Sequence, residues 1–213
     1  MKYKLSPSTL NLLEECPRCF WLYQVKKIKR PSGPISSIPI KMDSIIKNYF
    51  NKYRQKGELP PIIQGRVKGQ LAVDMPKTLK FEEENGIILW GRPDEYIELK
   101  DKNIVAFDHK TKSKAPETVH PSYQLQMNVY SYLLKAMGFK TTNKAYLAFY
   151  HPDDCELHYG MCIHCTILEV KTNPTHVIKL LNKAYNVLNE PIPKPGYHCE
   201  YCKWREETLN VTL

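Results

Sequence analysis

The pattern of apolar and polar residues near the N-terminus predicts two helices separated by a loop. The first follows Ser6 or Ser8, either of which can serve as its N-cap. Residues 31–40, PSGPISSIPI, have the composition of a loop, and a second helical pattern runs from Asp43 to Gly57. The positions expected to face the core are Leu10, Leu13, Phe20 and Leu22, then Ile45, Ile46, Tyr49, Phe50 and Tyr53. The first helix is therefore expected to end close to the first two cysteines.

The middle of the chain has the pattern of β-strands. Residues 79–109 contain apolar stretches that are separated by Asn85-Gly86 and by the polar sequence KDKN, both of which are turn signals. Strands joined by such short turns pair with their sequence neighbours. This segment therefore predicts an antiparallel meander.

In the last third of the chain, segments with helical periodicity alternate with segments typical of strands. A helix is predicted from Ser122 to about Met137, strands near 143–150 and 161–170, and a last long helix that opens at Asn173 and ends before PIPKPG. Helices interleaved with strands favour a mixed α/β layered domain. At this length we expect one domain that spans residues 1–213.

The composition favours a soluble protein with an anionic partner. The chain carries 31 Lys and Arg against 22 Asp and Glu, a net charge of +9, and much of the excess lies in the first third. A polyanion is the natural partner of such a surface, although a solvated basic face without a ligand has the same composition. No apolar run approaches the ~20 residues that a membrane span needs. We therefore expect a cytoplasmic protein without a membrane partner, whose seven cysteines are free thiols or metal ligands.

Two acidic residues and a lysine are predicted to meet on neighbouring strands. Asp108 directly extends the apolar stretch IVAF, and Lys110 shares its side of the strand because side chains two residues apart point the same way. Asp94 lies fourteen residues earlier, across a short hairpin turn. Two carboxylates can bind Mg²⁺ or Mn²⁺, and a lysine can orient an attacking water or neutralise charge in a transition state. The alternative is a surface hairpin with a cross-strand ion pair.

The sequences GRPDEY and FDHKTK together resemble the PD-(D/E)XK nuclease superfamily, and the Asp-x-Lys-Thr form is similar to its RecB-type branch, which includes CRISPR-associated adaptation exonucleases. That branch has a downstream Q-x-x-x-Y motif, matched here by Gln126 and Tyr130. The resemblance implies a restriction-endonuclease-like mixed β-sheet flanked by helices. It also implies a Mg²⁺- or Mn²⁺-dependent deoxyribonuclease, in particular a RecB-like exonuclease. Asp94 and Asp108 would be the metal ligands, and Lys110 would position or activate the water. Gln126 and Tyr130 would support the site.

Two further residues are candidates for the metal shell. RecB-type members usually supply a histidine from an upstream helix, but this chain has no histidine before His109, and Asp43 falls in the expected place. A carboxylate suits Mg²⁺ as well as an imidazole does, while the other interpretation of Asp43 is a helix N-cap. The ring of His109 should point away from Asp108, so its backbone carbonyl is the group that can reach the metal.

Four cysteines form a second candidate site. Cys16 and Cys19 lie near the start of the chain, and Cys199 and Cys202 lie near its end, both as Cys-x-x-Cys. Four thiolates hold either a tetrahedral zinc ion or an iron-sulfur cluster. The RecB-type branch implies a 4Fe-4S cluster, although its usual division is one early and three late cysteines. We expect residues 1–30 and 191–213 to form one subregion around this metal or cluster.

The sequence leaves two functions open. The first is a nuclease that acts in DNA repair, recombination or defence, with a helicase or another DNA-processing protein as a possible partner. The second is a catalytically inactive nucleic-acid-binding module with a structural zinc or iron-sulfur site. The metal site separates the two, because only the nuclease needs a divalent cation between the carboxylates.

Overall fold

The structure is a computed structural model that describes residues 2–34 and 36–209. These residues form six α-helices and eight β-strands. None of the helices in the described part of the chain is long and apolar enough to cross a membrane. In chain order the elements are β1 (Lys4–Leu5), α1 (Pro7–Glu15), α2 (Pro17–Lys26), α3 (Ser37–Arg54), β2 (Gln70–Leu71), β3 (Leu79–Glu82), β4 (Ile88–Gly91), β5 (Glu95–Glu98), β6 (Ile104–Thr111), α4 (Pro121–Ala136), β7 (Lys144–Pro152), β8 (Ile163–Lys171), α5 (Pro174–Asn189) and α6 (Glu200–Leu209).

The N-terminal segment forms two helices where one was predicted. Ser6 caps α1, and its side chain accepts a hydrogen bond from the backbone N–H of Thr9. Cys16 ends α1 in an extended conformation (φ −158°, ψ 103°), because the residue before a proline is driven out of the helical region. Pro17 then opens α2, since a proline at the first helical position lacks only an N–H that has no partner there. Cys16 therefore lies at the junction of two helices.

Helix α3 begins earlier than the sequence pattern indicated. Its first residue is Ser37, so four residues of the predicted loop are helical, and Pro39 is tolerated because it falls in the first turn. Asp43 lies inside α3, and the interpretation of this residue as an N-cap was wrong. The last cysteine pair lies at the start of a further helix, α6, which the sequence pattern did not predict.

The strands are divided between two sheets, in the orders β1-β4-β3 and β2-β5-β6-β7-β8. The predicted single meander is wrong at Pro93, because β4 ends at Gly91 and β5 begins at Glu95 in the other sheet. Proline has no N–H to donate to a strand ladder, so it favours a break here. In the larger sheet β6 pairs antiparallel with β5 and parallel with β7, and α4 makes the crossover between β6 and β7. The sheet is therefore mixed, as predicted.

Helices pack on both faces of the larger sheet and fix what each side of β6 meets. Val105 and Phe107 pack with Phe50 of α3 on one face. Ala106 packs on the other face with Met127 of α4. Because side chains alternate along a strand, Asp108 continues the series that faces α4, and His109 continues the series that faces α3.

Candidate active site and cysteine site

Strand β6 delivers Asp108 and Lys110 to the face covered by α4. The Asp108 side chain is almost completely buried, with 2% of the residue exposed. The ammonium of Lys110 donates to Oδ2 of Asp108 and lies 4.9 Å from the ring centroid of Tyr123, a residue of α4. The pairing predicted from two-residue spacing is therefore present.

Asp94 reaches the same place from the neighbouring strand. Glu95 pairs with Phe107 in the antiparallel ladder, so Asp94, which precedes Glu95, lies beside the residues that follow Phe107. Its Oδ2 accepts a hydrogen bond of 2.9 Å from the backbone N–H of His109. The hairpin therefore brings the carboxylates of Asp94 and Asp108 to one end of the β5–β6 pair.

Gln126 and Tyr130 lie one turn apart on α4, and Gln126 contacts the Asp108 carboxylate. The side-chain amide of Gln126 donates to Asp108 Oδ1 at 3.3 Å and to the Tyr130 hydroxyl at 2.8 Å. The Tyr130 hydroxyl donates to the carbonyl oxygen of Arg92 at 3.0 Å. Gln126 therefore connects Asp108 to Tyr130.

Gly91 is the residue that lets Tyr130 sit against β4. A Cβ atom at this position would lie 2.7 Å from Cε1 of the tyrosine ring, closer than side chains approach each other. Glycine is thus required by the close approach of the helix, and not by its backbone conformation. The first residue of the GRPD motif therefore has a packing role.

Asp43 lies at the edge of the site and reaches it through a lysine. Lys47 follows one turn later on α3, and its ammonium lies 2.9 Å from the Asp43 carboxylate and 3.1 Å from Oδ1 of Asp94. Burial alone would lower the pKa of Lys47, but the two carboxylates outweigh burial and raise it. The sequence interpretation missed Lys47, although its spacing of four from Asp43 is a recognisable helical ion pair.

The ring of His109 points away from the carboxylates, as strand alternation predicts. Its centroid lies 4.4 Å from that of Phe50, and Nδ1 lies 3.2 Å from the Tyr150 hydroxyl. Burial lowers the pKa of this imidazole to about 4, so the ring is neutral near pH 7. His109 therefore meets the acidic site through its backbone, whose N–H donates to Asp94, and not through its ring.

A buried ion pair joins α3 to the acidic end of β5. Glu95, with 1% of the residue exposed, accepts two hydrogen bonds from the Arg54 guanidinium, one of them at 2.7 Å from Nε. Burial raises the pKa of Glu95, and Arg54 opposes that increase. The pair anchors the helix that carries Lys47 to the strand that carries Asp94. Neither partner was a sequence candidate.

The electrostatics of the acidic site fit a divalent cation. Burial raises the pKa of Asp108 to about 7 against the lowering effect of Lys110, and the negative charge of Asp94 raises it further. The two carboxylates are hard oxygen donors, which suit Mg²⁺ or Mn²⁺. Within residues 2–34 and 36–209, no third acidic or histidine side chain completes this group at metal-binding distance. A bound ion would therefore take its other ligands from water or substrate oxygens.

A groove opens beside the carboxylates. It has a volume of about 1000 Å³ and runs between α1, the small sheet and α4. Lys80, Trp90, Arg92 and Tyr123 contribute to its lining, as does Gln126, whose amide donates to Asp108. The Arg92 guanidinium lies 5.8 Å from the Trp90 ring centroid. The groove thus combines cationic groups with aromatic rings.

The four predicted cysteines converge although they come from opposite ends of the chain. All four are buried, and their sulfur atoms lie within 4.8 Å of one another, an arrangement consistent with a metal site. The sulfur of Cys16 accepts hydrogen bonds from the backbone N–H groups of Gly196 at 3.2 Å and Cys19 at 3.5 Å. Burial alone would raise the pKa of Cys16, but these donors outweigh it and lower the pKa to about 7. Thiolates are the form in which cysteines bind metals.

Two residues complete the surroundings of the cysteines. A Cβ atom at Gly196 would lie 2.4 Å from the carbonyl oxygen of Glu15, so only glycine allows the C-terminal segment to approach α1 this closely. Arg30 donates to the sulfur of Cys199 at 3.5 Å and to the Glu15 carboxylate at 2.6 Å. Arg30 therefore brings positive charge to the thiolates.

The other three cysteines lie outside this group, as expected. Cys165 is buried on β8, whereas Cys162 is exposed just before that strand. The backbone N–H of Cys162 lies 3.1 Å from the sulfur of Cys155. None of the three belongs to the four-sulfur group.

A sheet end that presents two carboxylates and a lysine, backed by a glutamine and a tyrosine on the crossover helix, is the class of site found in PD-(D/E)XK nucleases. The family model of the PD-(D/E)XK nuclease superfamily matches residues 42–206, and the chain belongs to this superfamily. The match includes Asp94, Asp108 and Lys110 but begins after the first cysteine pair.

Comparison with solved structures finds distant similarities. SSO0001 aligns with 14% identity and a TM-score of 0.45, over 98% of this chain and 87% of that one. LHK-Exo in complex with dAMP aligns with 12% identity and a TM-score of 0.45, over 98% and 95% of the two chains. A second structure of LHK-Exo, an alkaline exonuclease from Laribacter hongkongensis, gives 12% identity, a TM-score of 0.39 and the same coverage. No curated protein matches the chain.

Proposed function

We propose that the protein is a divalent-metal-dependent deoxyribonuclease, of the RecB-like type, that hydrolyses DNA phosphodiester bonds. One observation carries this proposal: Asp94, Asp108 and Lys110 meet at one end of a strand pair, with Asp108 buried at the floor of the site. A buried carboxylate is costly unless a cation or hydrogen-bond donors compensate it. Membership of the nuclease superfamily supports the same conclusion.

Each residue of the site has a distinct part in this proposal. Asp94 and Asp108 would hold Mg²⁺ or Mn²⁺, together with the carbonyl of His109. When bound, the ion supplies Lewis-acid stabilisation of the phosphate and a more acidic water. Lys110, oriented by Asp108 and by the Tyr123 ring, places positive charge where the attacking water and the scissile phosphate meet.

The two residues of the Q-x-x-x-Y motif act as positioning residues. Gln126 fixes the orientation of the Asp108 carboxylate through its amide, and Tyr130 fixes Gln126 in turn. Because Tyr130 also donates to the main chain before Asp94, it ties the helix to the strand that carries the second carboxylate. The motif thus sets the distance between the two acidic groups.

The groove is the proposed path of the DNA. Lys80 and Arg92 can neutralise phosphates, and Trp90 and Tyr123 offer faces on which bases can stack. The net charge of +9 favours the approach of a polyanion. Gln126 lines the groove and contacts Asp108, so a strand that lies in the groove would pass close to the acidic site.

Cleavage of end-labelled linear DNA tests the assignment. With Mn²⁺ or Mg²⁺ the wild-type protein should degrade single- or double-stranded substrate, and Asp108→Asn should abolish degradation while DNA binding, measured without divalent metal, survives. Labels at the two ends distinguish exonuclease from endonuclease action and give the polarity. Cleavage by Asp108→Asn at the wild-type rate would refute the proposal.

A catalytically inactive nucleic-acid-binding module is the second candidate. It is favoured by the position of Lys47, whose ammonium lies between the carboxylates of Asp43 and Asp94 and can replace a metal cation there. Calorimetric titration with Mn²⁺ separates the two functions. The nuclease requires Mn²⁺ binding that Asp94→Asn removes, whereas the inactive module predicts no binding to the wild type and new binding in Lys47→Ala.

The remaining context of the protein stays a prediction. We propose a cytoplasmic location, because a reducing compartment keeps cysteines available as metal ligands. We propose that residues 1–213 act as one nuclease domain, in which residues 1–30 and 191–213 form the cysteine-bound subregion. A helicase or another DNA-processing partner, and a role in repair, recombination or defence, remain predictions from the resemblance.

A further inference from the structure

The spacing of the four cysteine sulfur atoms identifies the kind of metal group that they can hold. Cys16 and Cys202 are 3.8 Å apart, Cys19 and Cys199 are 3.6 Å apart, and Cys19 and Cys202 are 3.7 Å apart. A Zn²⁺ ion at about 2.3 Å from four thiolates places them on a tetrahedron with edges of about 3.8 Å. These three of the six sulfur–sulfur distances match the edges of such a tetrahedron, and the other three are no longer than 4.8 Å.

A four-iron cluster requires a different spacing. In that cluster each thiolate binds a different iron, so the four irons and the bridging sulfides lie between the cysteine sulfurs. The cysteines must then stand well beyond the 4.8 Å that bounds all the sulfur distances in this site. The group implied by the resemblance to RecB-type nucleases therefore does not fit these residues.

The local structure explains why the two cysteine pairs make one compact site. Cys16 is the N-cap of α2, with Cys19 in the first turn, and Cys199 and Cys202 occupy the corresponding places at the start of α6. Two helix N-termini thus point at the same four sulfurs. Backbone N–H groups and the helix dipole both stabilise anionic thiolates there.

We propose that the four cysteines bind a single Zn²⁺ ion in a closed tetrahedral site and hold no iron-sulfur cluster. Thiolates bind Zn²⁺ more tightly than Fe²⁺, and four protein ligands leave no open position for catalysis. Four thiolates and Zn²⁺ carry a net charge of −2, which Arg30 partly offsets through its contact with Cys199. The ion fastens the α1–α2 junction to α6 and has no redox function. This inference stands apart from the proposed nuclease activity.

Metal analysis of the wild-type protein is the first test. The protein is produced in iron-supplemented cells and purified without oxygen, so that an iron-sulfur cluster would have every opportunity to form and survive. We expect one zinc per chain, no acid-labile sulfide and no visible colour. Exchange with Co²⁺ should give the d–d absorption of tetrahedral cobalt thiolate. Four irons with sulfide, one iron, or a metal-free folded protein would each overturn the inference.

Paired variants show which cysteines hold the ion. Cys202→Ser should lose zinc, whereas Cys155→Ser, which changes a cysteine outside the four-sulfur group, should keep one zinc per chain. Zinc loss in both variants, or retention in both, would contradict the assignment. If Cys202→Ser does not fold, incubation of reduced wild-type apoprotein with iron and sulfide replaces it. The inference then requires that no four-iron cluster forms and that added zinc restores one ion per chain.

Discussion

The acidic site and the cysteine site gather anionic groups in opposite ways. Asp94 and Asp108 are close in sequence and already contact protein cations, Lys47 and Lys110. The cysteines meet across 180 residues, as the Cys19–Cys199 pair shows, and four anionic thiolates would share one nearby guanidinium. The first site can therefore keep its shape without a metal ion. In the second, the proposed zinc ion would balance the charge and hold the N- and C-terminal segments together.

The largest expected difference between the two sites is the loss of stability when the metal ion is removed from each. A structural zinc ion contributes on the order of 10 kcal/mol to folding, so zinc release with a mercurial reagent should unfold the protein or greatly lower its Tm. Withdrawal of Mg²⁺ from zinc-loaded protein should lower the Tm by only a few degrees, because Lys47 and Lys110 still compensate the carboxylates. Thermal unfolding followed by circular dichroism measures the two changes in Tm, and a coloured indicator follows the release of zinc. Equal changes in Tm would contradict the expected difference between the two sites.

Loss of Lys110 should affect the acidic site alone. Lys110→Ala removes the ammonium beside the reacting groups and should lower the cleavage rate by about 10²–10³-fold, the usual cost of one preorganised charge. Zinc content should stay at one ion per chain. Lys112→Ala is the matched control, since that ammonium lies 5.2 Å from the same Tyr123 ring but makes no contact with Asp108. A comparable loss in both variants would mean that general basicity, and not the Lys110–Asp108 pair, supports cleavage.

The same contrast explains what the sequence could predict. Strand alternation is local, so the positions of Asp108, Lys110 and His109 followed from their spacing. The i and i+4 spacing likewise placed Gln126 and Tyr130 on one helical face. In contrast, the contacts of Arg54 with Glu95 and of Lys47 with Asp94 depend on how α3 packs against a sheet whose strand order is not local. Cys-x-x-Cys spacing is shared by zinc and cluster sites, so only the distances between the sulfurs could separate them.

The Arg54–Glu95 pair tests how much the protein's own ion pairs stabilise the region of the acidic site. Arg54→Met leaves a buried glutamate without its cation and should lower the free energy of unfolding by about 3 kcal/mol, a typical cost of breaking a buried pair. Lys52→Ala, at an exposed position of the same helix, should change it by less than about 0.5 kcal/mol. Urea denaturation measures both. A small change in the free energy of unfolding for Arg54→Met would show that water or protonation of the carboxylate compensates the buried charge of Glu95.

Two tryptophans, one near each site, test which site lies on the DNA path, and the expected effect is the smallest of those considered. Trp90 lines the groove beside the carboxylates, whereas Trp204 lies on α6 after the last cysteine and is 65% exposed. Stacking of one base on an aromatic ring contributes about 1–3 kcal/mol, so Trp90→Ala should weaken binding of single-stranded DNA by roughly tenfold. Trp204→Ala should leave the Kd unchanged within about twofold, because a lone exposed ring away from the groove has no stacked base to lose.

The measurement is fluorescence anisotropy of labelled single-stranded DNA at fixed ionic strength, without divalent metal and in the Asp108→Asn background, so that cleavage does not interfere. Salt must be held constant because phosphate contacts weaken steeply as it rises. If Trp204→Ala has the larger effect, the DNA path runs over the cysteine-bound end of the molecule and not through the groove. That result would leave the carboxylate chemistry intact while reversing the roles assigned to the two regions, since the zinc-bound helices would then present the substrate to the acidic site.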